Sequence, residues 1–84
     1  MKTKETAAQA YQRNQEDVGS VIDLLEQELK MAAEYAKKDG VDWSKVGSLA
    51  EVRSKLIETL AFLAQQDTAF IEGHLQEMRE NGRS

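Results

Sequence analysis

No proline interrupts this chain. Across 84 residues nothing locks φ against a helix or deletes a backbone donor from it, and glycine occurs only five times. No stretch alternates β-branched with polar residues as a half-buried strand does, so the expected fold class is all-α. The clearest punctuation is KKDGVDWSKVGSLAE, residues 37–51. Lys37 and Lys38 suit a helix C-terminus, Gly40 suits the left-handed position just past it, and Ser48 with Glu51 has the spacing of a capping box. The pattern predicts a first helix over about residues 5–38, a turn over 39–47 and a second helix over 48–80, with frayed termini. Asp42 to Val46 are candidates for a short turn of their own.

Residues placed at 100° intervals resolve into faces. In the second segment Leu49, Val52, Leu56, Leu60, Leu63, Ala64, Phe70, Ile71, Leu75 and Met78 fall within an arc of about 140°, the width of a stripe packed on one side. In the first, Tyr11, Val18, Val21, Ile22, Leu25, Leu29, Ala32 and Ala36 form a comparable stripe. Two such stripes joined by a short loop predict an antiparallel hairpin in a single domain, each helix roughly 45–50 Å long at 1.5 Å per residue.

A lone hairpin leaves apolar surface over. Leu24, Met31 and Tyr35 lie at i, i+7 and i+11, on a line about 100° from the centre of the main stripe, so the first helix is apolar over roughly half its circumference. Phe62 likewise projects between Lys55, Glu58 and Ala69 on the polar side of the second segment. Self-association of two hairpins into a four-helix bundle buries these residues by symmetry, and Leu24, Met31, Tyr35 and Phe62 are the candidate interface. The competing expectation is that a folded-back N-terminal segment covers Leu24, Met31 and Tyr35.

Two interruptions in the stripes bear on register. Gly19 weakens an unbroken first helix and marks a candidate kink, while Ser20 with Asp23 has the spacing of a fresh helix start. In an antiparallel hairpin turning near residue 43, Tyr11 and Ala8 come beside Leu75 and Met78. Asp67 and Thr68 come opposite Ser20 and Gly19. Gln65, Gln66, Asp67 and Thr68 thus read as half of a matched polar layer, with Gly19 and Ser20 as the other half, fixing register as a buried asparagine does in a coiled coil.

Catalysis finds little footing. Asp67 and His74 project within about 20° of each other, but two turns, about 10 Å, separate them. That is too far for a carboxylate to polarise the imidazole. There is no cysteine, and no serine sits in a nucleophile motif. His74 and Glu77 reverse the Glu-x-x-His order of carboxylate-bridged metal bundles. No catalytic, cofactor-binding or metal-binding residue is therefore expected, no cofactor, and no small-molecule substrate. The chain is expected to be no enzyme but a small interaction or regulatory protein, paired with itself and open to another protein along a helical face.

Charge and targeting narrow the partners. Fifteen acidic against eleven basic side chains give a net charge of −4, which opposes attraction to nucleic acid and to anionic lipid. No secretory leader and no run of about 18 apolar residues is legible, so a cytoplasmic protein without a membrane role is expected. One local basic surface stands out: Lys37, Lys38 and Lys45 around Trp43. It reads first as complementation of a helix end beneath an aromatic lid. As a dimerising helical hairpin the chain resembles Rop-type RNA-binding regulators in outline, which implies nucleic-acid binding through that turn, although no motif residue is shared. The WSKVG of the turn is similar to the Trp-x-Gly turn of secreted hairpins of the early-secreted-antigen type, with the glycine two positions late, which implies export instead.

Overall fold

The computed structural model describes residues 4–82. The fraying expected at the extreme termini lies largely outside them. Three helices follow in order: α1 (Ala7–Asp39), α2 (Trp43–Ala64) and α3 (Thr68–Asn81). The all-α class is as expected, but there are three helices and not two. The chain divides into two compact units, one running through Gly40 and the other starting at Val41.

The first unit is α1 and its approach. Thr6 caps the helix: its hydroxyl accepts from the Gln9 N–H at 3.1 Å, and the Gln9 side chain accepts from the Thr6 N–H at 2.9 Å. This reciprocal box satisfies two donors that a helix start leaves orphaned. Glu5, just before the cap, receives a forked pair of hydrogen bonds from Arg13 at 2.8 and 2.9 Å. At the other end Lys37 and Lys38 occupy the last turn, and Gly40 takes φ 84° while its N–H donates to the Ala36 carbonyl. Gly19 costs the helix about 1 kcal/mol relative to alanine, yet α1 runs through it without a break. Ser20 and Asp23 start nothing new, because the chain around them is already helical.

The second unit begins earlier than the Ser48–Glu51 signature predicts. Asp42 is the cap of α2, its carboxylate accepting from the Lys45 N–H at 2.9 Å and its carbonyl from the Val46 N–H at 3.2 Å. Once those bonds form, Val46, Gly47 and Ser48 belong to the second turn and not to a loop. The predicted turn over 39–47 therefore shrinks to residues 40–42.

The predicted helix over 48–80 is also cut, at the polar run Gln65 to Thr68. Gln65 adopts the left-handed conformation, φ 58° and ψ 41°. Its N–H donates to the Phe62 carbonyl at 3.3 Å and the Gln66 N–H donates to the Ala61 carbonyl at 2.9 Å. That pair of bonds is a Schellman closure, made here without glycine. Asp67 then caps α3, its carboxylate accepting from the Phe70 N–H at 2.8 Å. The run is thus a stop followed by a start, not a polar step within one continuous helix.

This break decides where the core sits. Ile57, Ala61 and Ile71 are the buried hydrophobic residues, at 6, 4 and 7% exposure, with Leu75 packed against them. Ile57 and Ala61 lie one turn apart on α2, and Ile71 and Leu75 one turn apart on α3. Arg53, one turn before Ile57, closes the edge of the same face by a two-pronged pair with Glu72, Nη1 reaching Oε2 at 3.0 Å and Nη2 reaching Oε1. Among the described residues no helix is long and apolar enough to cross a membrane.

Candidate interaction surface

α1 has no buried residue. Its main stripe and its second line are both largely open, from Met31 at 48% to Tyr11 at 68% exposure. Leu25 and Ala36 on the main stripe are partly covered by their own helical neighbours. Leu24, Met31 and Tyr35, the candidate interface residues of α1, are all exposed, as is the stripe expected to pack on the second helix. Lys30, Glu34 and Lys38 flank Met31 and Tyr35 around a shallow groove on the helix surface. An apolar strip edged by long charged side chains is the usual make-up of a helix–helix seam, since the stems of lysine and glutamate extend the apolar cover while their heads stay wet.

Phe62, the fourth candidate, is on α2 and 86% exposed. It projects about 120° away from the Ile57 and Ala61 face on the helical wheel, so α3 does not reach it. The predicted stripe Leu49, Val52, Leu56, Leu60 and Leu63 is exposed as well. It is centred about 120° from the Ile57 and Ala61 face, on the side opposite to Phe62. The α2 helix therefore has one apolar face used inside its unit and another left open.

The polar-layer candidates separate by role. Gly19 and Ser20 are exposed positions within α1, whereas Asp67 is the exposed cap of α3 and Thr68 its first residue. Asp67 spends its carboxylate on the Phe70 N–H. His74, exposed on α3, is not brought to it, and among the described residues no three His, Asp or Glu side chains converge on a point that would hold a metal ion.

The turn candidates also part company. Lys37 and Lys38 occupy the last turn of α1, while Trp43 and Lys45 stand in the first turn of α2, in the other unit. Trp43, expected as a lid over helix ends, is instead 85% exposed. As the first residue of α2 it has no earlier turn of its own helix to pack on.

Sequence reasoning missed Ile57, Ala61, Arg53 and Glu72. Their signal was present, an i, i+4, i+8 series Arg53, Ile57, Ala61 ending at a polar break, but a wheel drawn through residues 48–80 as one helix averages it away. Glu72 is held below the usual carboxylate range by the hydrogen bonds from Arg53, opposed by desolvation and helped to a smaller extent by the charges of Arg53 and Arg79. The forked geometry favours its charged form. Comparison with known protein families, with characterised proteins and with solved structures finds no match to this chain.

Proposed function

We propose that this chain is a small non-enzymatic protein-interaction module that works as a homodimeric helical bundle, to which each copy brings α1 and the α2–α3 unit. The antiparallel hairpin and the dimeric bundle expected from the sequence belong to this proposal. The observation that carries it is the state of α1: 33 residues of helix with two apolar lines and nothing buried. Helices in water draw most of their stability from packing an amphipathic face, so a helix of this kind needs a partner to persist. The exposed Trp43 and Phe62 are the further aromatic surface such a module offers, aromatic residues being enriched in protein interfaces. A nucleic-acid role through Trp43 and Lys45 is the weaker alternative: the net charge is −4, and α3 sets Glu72, Glu77 and Glu80 against Arg79.

Sedimentation equilibrium between micromolar and submillimolar concentration tests the proposal. The expected mass is twice 9.4 kDa. A Leu24→Glu, Met31→Glu double variant should dissociate to single chains. Burial of a leucine or methionine side chain is worth roughly 1.5–3 kcal/mol, and both positions count twice in a symmetric dimer, so a loss of about 6 kcal/mol or more should raise the dissociation constant at least about 10,000-fold. A wild-type mass that stays at 9.4 kDa across the range defeats the homodimer.

A further inference from the structure

The charge on α1 is divided along its length. Glu16, Asp17, Asp23, Glu26 and Glu28 follow one another with no base between them, and then Lys30, Lys37 and Lys38 are set against Glu34 alone up to Lys38. The helix dipole accounts for Lys37 and Lys38 in the last turn, but not for the acidic block or Lys30, because its influence fades within the first and last turns and Asp17 to Lys30 lie in the middle of Ala7–Asp39.

The second apolar line carries the same division. Asp17, Leu24, Met31 and Lys38 recur every seven residues, all within α1. They drift only about 20° per heptad on a straight helix, and not at all in a left-handed supercoil. The series is acid, apolar, apolar, base. Turned end for end about a midpoint between Gln27 and Glu28, it complements itself: Asp17 meets Lys38 of the second copy, and Leu24 meets Met31 of the second copy, each pair made twice. Tyr35 then faces Ser20 of the second copy. A parallel pairing in register does the reverse, setting Asp17 on Asp17, Lys38 on Lys38 and the acidic block on itself.

We propose that the second line of α1 is covered by α1 of a second copy, antiparallel and centred between Gln27 and Glu28, with orientation chosen by the charge division of the helix. The proposal rests on the homodimer put forward above and deepens it. Apolar matching alone leaves orientation open, because leucine and methionine are near equivalents in volume; the charged ends of the series select one direction through attraction in one arrangement and repulsion in the other. Antiparallel α1 helices also oppose their dipoles favourably.

The chain has no cysteine, so single introduced cysteines report without interference. Leu24→Cys and Met31→Cys chains are mixed, equilibrated and treated with a short bis-maleimide. The expected product is the mixed crosslink, joining one Leu24→Cys chain to one Met31→Cys chain, in several-fold excess over either like pair. An excess of like pairs overturns the antiparallel arrangement and leaves the homodimer standing. Absence of any crosslink from a solution that sediments as dimer overturns the assignment of this line as the interface. A solution that sediments as single chains removes the homodimer itself, and the line is then covered by something other than a second copy. Charge reversal supplies the second readout, at exposed positions whose substitution leaves the helix able to form. Asp17→Lys or Lys38→Asp alone should weaken association several-fold, and the double reversal should restore most of it. Single reversals without effect contradict the pairing.

Discussion

α1 and the α2–α3 unit reach helical structure by opposite means. α1 is the longest helix, and it is capped at its start by the Thr6–Gln9 box and closed at its end by Gly40 at positive φ; no side chain along it is buried. The α2–α3 unit is assembled from shorter helices of 22 and 14 residues, and folds back at Gln65 to bury Ile57, Ala61 and Ile71. Local signals alone therefore specify α1, whereas a tertiary event specifies the corner. The lesson is about where stability resides. Caps contribute about 1 kcal/mol each, but a buried aliphatic side chain contributes two or three times that, so the better-marked helix is the one with no burial of its own to draw on.

The most disruptive way to probe the contrast is Ile71→Ala. Truncating a buried isoleucine should cost the α2–α3 unit about 2–3 kcal/mol, since the transfer energy and an unfilled cavity add. Amide exchange should show α3 losing protection first. The protection of α1, which is expected to track protein concentration, should fall later and less than that of α3, and the sedimenting mass should hold. If α1 loses its protection in step with α3 at fixed concentration, the two regions fold as one cooperative body and the contrast collapses.

What was legible in the sequence follows the same division. The end of α1 could be read to within one residue, because Lys37, Lys38 and Gly40 act locally, whereas its start, expected near residue 5 from the hairpin register, is set at Ala7 by the Thr6–Gln9 box, which that reasoning passed over. The second apolar line of Leu24, Met31 and Tyr35 was readable too, but the exposure of the main stripe of α1, expected to pack on the second helix, was not. The start of α2 was not, because Asp42 and Ser48 both offer caps six residues apart and only the backbone geometry after Gly40 selects between them. The core of the corner was hidden for a related reason. Gln65 has no intrinsic preference for the left-handed region, so the run from Gln65 to Thr68 carries no glycine or proline to announce a stop. On a wheel drawn without the stop, Ile57 lies only at the edge of the predicted stripe and Ala61 lies beyond it. The candidate interaction line was thus visible while the face α2 presents to α3 was not.

A smaller and signed effect comes from the two residues that make that stop. Gln65→Gly should stabilise the corner by about 1 kcal/mol, because a residue with a Cβ is disfavoured in the left-handed region and the closure itself is unchanged. Asp67→Ala should destabilise it by about 1 kcal/mol through loss of the bond to the Phe70 N–H. Urea unfolding followed by circular dichroism gives both midpoints. Opposite shifts confirm a stop and a start made by separate residues; two shifts of the same sign contradict that division.

The smallest expected effect concerns the edge of the corner, where Arg53 holds Glu72. The folded carboxyl titrates below its unfolded value because the ionised form accepts both guanidinium hydrogen bonds. A depressed carboxylate adds stability that is fully present above the unfolded pKa, roughly 4.3, and drains away as pH falls through the folded value. Both side chains are nearly half exposed, so solvent screening keeps the contribution modest. Urea midpoints of the wild type and of Glu72→Gln should therefore differ at pH 7, the wild type being the more stable, and draw together at an acidic pH below the lowered folded value. The expected locus is the α2–α3 unit, read as amide protection in α3. A gap of the same size at both pH values would show that the glutamine acts by altered packing, and the ion pair would then contribute nothing measurable to holding α3 on α2.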